Sequence, residues 1–578
     1  SDSFIYIVKA ENGRLTLVSK INTAEISGQD DQNGYSYSYA GDIYVTPTRL
    51  IVMKNVYSYG IYDKNGDTDY GYTEPVPETD YAGDDAKGSD KTAEAGEAAE
   101  AGDADETGNG EYEIKPTDPN TETETETETE STAYYYGYYY NTNRVCADIY
   151  DITDKASPEF IASIGQDGYS VTSRMIGGTL YLVSQHYFYG DIDINNPQTF
   201  VPSVYTDDTA SLITPESITL CPVYDSMTYI IVNGIDTVKA EITSTAASVG
   251  SVTSVYANTE SLYIAGYAPE YVTEGNTTVY TMKTLVQRYT LEDGKVVFAA
   301  SGLVNGNVLN QFSMDEYKGY LRMVTTVDSY TYTYNDKSAT EAAYNETVSF
   351  SNEQSNSVYV LNRELEVVGK IEGLANDERV YSVRFDGDVG YFVTFRQVDP
   401  LFTADFTDPR NPKILSALKI PGFSNYLHPF DDGLLFGLGM DADENGSVGY
   451  LKLSMFDVSD PADVSEVQKL VVEKVFYSEA SYNHKAILID SKKNLIAFPA
   501  ENAYYVYSYD SKNGFELKKV INFGDENGEQ GYYYWYYNGI RSLYIGDYLY
   551  IVISGGYGAV ASYDMSDFSQ ADKLEFTK

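Results

Sequence analysis

Two cysteines, three histidines and one tryptophan occur in 578 residues. Cys146 and Cys221 permit one disulfide at most, which excludes a crosslinked framework. His186, His428 and His484 stand in no His-x-x-x-His or His-x-Cys spacing, so a zinc site would need folding to bring all three together. Basic residues are also scarce, 39 against 87 acidic ones, for a net charge of -48. Nucleic acid is therefore excluded as a partner, because phosphate binding needs a basic footprint. An anionic membrane surface is disfavoured for the same reason. No run of 18 apolar residues occurs, so no transmembrane helix is expected. There is no Gly-rich phosphate loop after a strand and no Gly-x-Ser-x-Gly elbow. Among so many acids, no glycosidase-type carboxylate pair can be singled out.

What is present is a repeat. A polar or Gly/Asp turn is followed by a short apolar strand, as in Arg174-Met-Ile-Gly-Gly-Thr-Leu-Tyr-Leu-Val183 and Leu543-Tyr-Ile-Gly-Asp-Tyr-Leu-Tyr-Ile-Val552. Eight such inner hairpins are legible: 42–53, 171–183, 252–265, 311–324, 380–395, 425–438, 484–498 and 541–553. Most are followed by an outer pair, a "Tyr-Asp-Ile" strand and a partner, joined by Asp/Pro turns such as Thr407-Asp-Pro-Arg-Asn-Pro412. Repeated hairpins of this period predict an all-β fold, a β-propeller of eight four-stranded blades, or seven if one hairpin is an inserted unit. The ring is expected to close through a blade shared by N- and C-terminal strands. A single propeller over 1–578 is expected, with decorating insertions at 60–140, 185–220 and 326–354.

The insertion at 60–140 differs in character. From Glu74 to Glu130 it carries 20 Asp/Glu against 3 Lys and ends in a Thr-Glu alternation. Like charges at that density repel, which suits a solvated segment, or one that orders on calcium or a partner. Two tyrosine runs stand out among 59 tyrosines. One comprises Tyr134, Tyr135, Tyr136, Tyr138, Tyr139 and Tyr140. The other comprises Tyr532, Tyr533, Tyr534, Trp535, Tyr536 and Tyr537. Successive strand residues face opposite ways, so such runs cannot point wholly inward. They suit packing over a blade edge, a protein interface or a glycan platform.

The acidity makes divalent cations natural counter-ions, and calcium prefers oxygen ligands. Asp441, Asp443 and Asn445 precede Gly446 at calcium-loop spacing, although Lys452 replaces the closing acid. Asp63, Asn65, Asp67 and Asp69 form a second candidate, and Asp191, Asp193 and Asn195 a third. Around the fourth inner hairpin, Asp315, Glu316 and Arg322 are candidates for polar groups lining the channel. Arg174 and Arg384 hold the comparable early position in theirs.

Several stretches carry a resemblance: Ser173-Arg-Met-Ile-Gly-Gly178, Asn310-Gln-Phe-Ser-Met-Asp-Glu-Tyr317, Gly422-Phe-Ser-Asn-Tyr-Leu427, Leu453-Ser-Met-Phe-Asp-Val-Ser-Asp-Pro461 and Asn483-His-Lys-Ala-Ile-Leu488. They resemble the secreted bacterial and archaeal "beta-propeller domain" family, from Arg144 to the C-terminus and more weakly before it. The resemblance implies a secreted or surface-attached propeller and supplies no catalytic residues. Acidic, Tyr/Asn/Ser/Thr-rich and lysine-poor composition likewise points outside the cell. The expected function is a calcium-stabilised extracellular propeller for binding, adhesion or surface assembly, with a protein or glycan partner at the cell surface, or itself. The alternative is a glycan-active hydrolase or lyase with a site at the channel mouth.

Overall fold

The computed structural model describes residues 4–23, 34–62, 138–188, 192–222, 228–334, 347–396, 399–443, 446–523, 539–554 and 558–576. The chain divides into one unit of 1–60 with 140–578, which carries the sheets, and another of 61–139. Strands form a two-stranded hairpin, Phe4–Glu11 with Arg14–Asn22, and eight further sheets. Each of the eight contains four strands in meander order. Their first strands are Gly34–Val45, Tyr169–Ile176, Ser254–Ala257, Met314–Tyr317, Arg379–Asp386, Phe423–Asp431, Leu488–Asp490 and Ile540–Ile545. These open the first to the eighth sheet, one for every inner hairpin legible in the sequence.

Second strands show why the repeat reads so clearly. In Thr179–Tyr187, Leu180, Tyr181, Leu182 and Val183 are all buried, because the sheet is covered on both faces. Strand alternation sends Leu180 and Leu182 against the first sheet, and Tyr181 and Val183 against the third. Each such side chain contributes about 1.5–3 kcal/mol through burial. Five further inter-sheet cores repeat this arrangement from the third sheet to the eighth. Many tyrosines belong to these cores. Tyr289 is fully buried, its hydroxyl 2.7 Å from Ser248 Oγ, and Tyr504 reaches Ser542 in the same way. A phenol is used where an apolar body must end in a polar tip.

The two ends of the chain meet differently from the expected shared blade. Ile540–Ile545 and Tyr548–Ile553 already supply an inner pair, so the last sheet has four strands of its own. The N-terminal strands pair with each other. Their hairpin instead lies between the last and first sheets. On one side Leu15 N donates to Asp572 Oδ2 (2.8 Å) and Tyr6 stacks on Phe576 at 4.1 Å. On the other, Ile5, Ile7 and Ile21 pack against Leu50, Val52 and Tyr150. The ends are joined by side-chain packing and not by a shared ladder.

Much of the acidity makes turns. Asp151, Asp405, Asp457 and Asp564 each accept from the backbone N–H two residues on, at 2.7–3.0 Å. Asp154, Asp408 and Asp460, three residues later, do the same. These are Asx turns closing the outer hairpins.

Candidate functional site

The fourth sheet is entered through a short 3-10 turn, Gln311–Ser313, capped by Asn310, whose side chain accepts from Phe312 N at 2.9 Å. The capped turn places Gln311 and Phe312 against side chains of the second, sixth and seventh sheets. Gln311 Oε1 accepts from Arg174 Nη2 (2.9 Å), and its Nε2 lies 3.3 Å from the His484 ring. Phe312 meets His484 edge-on at 5.1 Å and Tyr426 at 6.1 Å. The Arg384 guanidinium stands 5.8 Å from the Phe312 ring centre. Tyr426 Oη is 2.9 Å from His428 Nδ1. Residues from the second, fourth, fifth, sixth and seventh sheets thus converge, as first strands around a central axis must.

Three adjoining cavities of about 300, 300 and 270 Å³ share Arg174 and Gln311. The first is walled by Phe312, Tyr426 and His484. Arg384, Tyr256 and Asp315 line the second. Asp42 and Lys485, paired at 2.8 Å, line the third. Burial and the charges of Lys485, Arg174, Arg541 and Arg384 lower the proton affinity of His484. Burial, aided by Arg384, pushes His428 down to about 4.

The predicted polar residues separate. Arg174, Arg384 and Asp315 line the cavities. Arg322 does not line the channel: it is 3% exposed, paired with Asp315 and enclosed by Tyr317, Phe385 and Phe406. It sits on a second strand, whose side chains point into the inter-sheet core. Glu316 turns the opposite way from Asp315 and accepts from Asn258 Nδ2 (2.9 Å), between the third and fourth sheets. Arg541, two positions earlier in its hairpin than Arg174 and Arg384 are in theirs, pairs with Glu479 at 2.8 Å.

Asp441 is ion-paired with Lys469 at 2.7 Å, and Asp443 Oδ1 accepts from Ser447 N at 2.9 Å. Asn445 lies outside the described residues, as do Asp63, Asn65, Asp67, Asp69 and Asp191. Asp193 accepts from Asn195 N (2.9 Å) in an Asx turn. Among the described residues no three His, Cys, Asp or Glu side chains gather as a metal cage. Cys146 and Cys221 are buried, unbonded thiols. Tyr134, Tyr135 and Tyr136, and the run from Tyr532 to Tyr537 with Trp535, lie outside the described residues. Tyr138, Tyr139 and Tyr140 open the strand Tyr138–Asp151.

A second feature lies away from the centre. Tyr320–Tyr334 and Thr347–Leu361 run on past the fourth sheet as a long ribbon. Strands Glu270–Glu274 and Thr277–Thr281, an excursion from the third sheet, pair onto it. Register places Tyr271 opposite Tyr280, and Tyr280 opposite Tyr330, on one face. Phe350 continues the row, giving centroid spacings of 5.0, 5.7 and 5.9 Å, with Tyr332 5.3 Å from Phe350. Tyr271 and Phe350 are 66% and 57% exposed.

A family model described as "Beta propeller domain" matches residues 1–568. An uncharacterized protein of Archaeoglobus fulgidus is 38% identical over 295 residues, 51% of this chain and 39% of that protein. One from Methanocaldococcus jannaschii is 39% identical over 250 residues, 43% of this chain and 34% of that protein. The chain therefore spans about two fifths or less of the length of these relatives. Among solved structures, Sqt1 of Saccharomyces cerevisiae is similar over 75% of this chain and 93% of its own, at 12% identity and a TM-score of 0.32.

Proposed function

We propose that this chain, which belongs to the Beta propeller domain family, is a non-catalytic extracellular binding scaffold for adhesion or surface assembly. The observation that carries the reading is the row of five rings, Tyr271, Tyr280, Tyr330, Phe350 and Tyr332, on a ribbon that leaves the packed sheets. Exposed aromatics in register give rigid, amphipathic contact area at small conformational cost. Threonine hydroxyls, such as the Thr273 and Thr278 pair at 3.0 Å, lie on the same strands. A protein or glycan partner at the cell surface fits such a face. Hydrolysis is a weaker reading, because Asp315 and Glu479 beside the centre are each already held by an arginine.

The test is binding of the full chain to a glycan array and to a second copy of itself, with Tyr271→Ser/Phe350→Ser as the variant. Loss of about tenfold or more in affinity is expected, since interface aromatics are frequent hot spots. Equal binding by variant and parent would remove the ribbon from the function.

Calcium belongs to the same proposal, supported by the acidity of the chain. Excess chelator is expected to lower the melting temperature of the natively isolated protein, and calcium to restore it. An unchanged melting curve would dispose of a stabilising calcium.

A further inference from the structure

We propose that the central cavities bind a small ligand bearing an oxyanion, a carboxylate or a phosphate, engaged jointly by Arg174 and Arg384 beside Phe312. The inference begins from a mismatch of charge. The chain carries 87 acids against 39 bases. Yet Arg174, Arg384, Arg541 and Lys485 all stand near enough to His484 to depress its proton affinity. Two of these cations are neutralised: Arg541 by Glu479 and Lys485 by Asp42.

Arg174 and Arg384 are not ion-paired among the described residues. Arg174 spends its donors on neutral acceptors, Gln311 Oε1, Thr172 Oγ1 and Ser173 O. Arg384 is left with less. Its Nε is buried without a hydrogen-bond partner, and its guanidinium stands 5.8 Å from the Phe312 ring centre. A guanidinium with five donors that makes no hydrogen bond among the described residues, beside a cavity, calls for an acceptor from outside. With so many acids in the chain, an internal partner would have been easy to supply.

The remaining lining fits a small polar acid. Both arginines border the second cavity, and a planar fork matches a carboxylate or phosphate edge. Gln311 Nε2 and the Tyr256 hydroxyl can bond ligand hydroxyls, and Phe312 and Phe385 offer apolar faces. Asp315 is the one carboxylate in that lining, and Arg322 neutralises it. About 300 Å³ sits at the small end of ligand pockets, room for a single sugar acid but not a polymer. The site is separate from the aromatic ribbon and stands whether or not the ribbon binds a partner.

Calorimetric titration of the full chain tests it, with galacturonate, inorganic phosphate and, as the neutral control, galactose. Galacturonate, phosphate or both should bind, more weakly at high salt, and galactose should not. Preference between the two anions identifies the oxyanion. Arg384→Met and Arg174→Met should each reduce affinity about tenfold or more, the usual value of a charge-assisted hydrogen bond. Arg384→Met is a folded control, because that side chain makes no hydrogen bond among the described residues; its melting temperature should match or exceed the parent's. The His484 ring proton should titrate at higher pH when the anion is bound. The proposal is overturned if neither anion binds the parent, if galactose binds as well as the anions, or if both variants bind with parental affinity.

Discussion

Replacing Lys54 with methionine is expected to remove about 3–5 kcal/mol of stability, the usual consequence of stranding one partner of a buried ion pair. Lys54 Nζ lies 2.7 Å from Asp148 Oδ2 inside the first sheet, with side-chain exposures of 5% and 0%. The other carboxylate oxygen accepts from Ser163 Oγ at 2.6 Å. Without the ammonium, Asp148 is left as an uncompensated charge in a dry site. Adding Asp148→Asn removes the charge and keeps an acceptor for Ser163, so the double variant should recover most of the loss. Urea midpoints for the single and double variants decide the matter. A single variant within about 1 kcal/mol of the parent would show that the pair adds little. Since this sheet adjoins the N-terminal hairpin, hydrogen exchange should quicken first between residues 49–56 and 143–151.

Such a pair is invisible in the sequence, whereas the sheets are not. Each inner hairpin was legible because a Gly/Asp turn precedes a strand buried on both faces, which reads as a short apolar block. One outer pair escaped notice, Thr228–Asp236 with Glu241–Val249 in the second sheet. It lacks the Tyr-Asp-Ile signature, and the middle of its last strand, 243–248, is built of Thr, Ser and Ala. The shared blade expected at the termini does not form, because Ala559–Asp564 and Gln570–Glu575 pair onto the eighth inner hairpin and complete a four-stranded sheet. The ribbon's added strands were missed because they leave the third sheet to pair in the fourth.

The centre was harder to read for a different reason. It is assembled from about one residue per sheet, Arg174, Gln311, Arg384, Tyr426 and His484, more than 300 positions from first to last. No local spacing can carry that pattern. The early-hairpin arginine was a usable signal for Arg174 and Arg384, which hold matching register opposite Tyr181 and Tyr391. Arg322 misled because alternation along a strand cannot tell a channel edge from an inter-sheet face. The acidic excess was ambiguous in the same way: Asp151, Asp405 and Asp457 are turn-makers, held below the usual carboxylate range chiefly by hydrogen bonds from the residues two ahead.

Those aspartates lose their stabilising ionisation as pH falls through and below the ordinary carboxylate range, so a loss of stability that begins near pH 6.5 comes from other groups. His428 is the group to expect. It is half-buried on Phe423–Asp431 beside Arg384, and burial with that charge pushes its pKa down to about 4. The unfolded chain accepts a proton on this ring near pH 6.5, and the folded chain refuses it until about pH 4. Through that window the unfolded state binds more protons, so stability rises with pH and falls on acidification. A displacement of this size corresponds to about 3 kcal/mol lost across the window. His484 is displaced in the same direction and adds to the slope. His428→Gln should flatten the slope of unfolding free energy against pH, and Arg384→Met should raise the His428 pKa by removing a nearby positive charge. With three histidines in the chain, ring-proton resonances can follow each titration directly. A His428 signal titrating near 6.5, or an undiminished acid slope in His428→Gln, would contradict the argument. The same measurement tests the centre itself, because an anion seated by Arg384 would lift the proton affinity of both rings and carry the protein's stability further into acid.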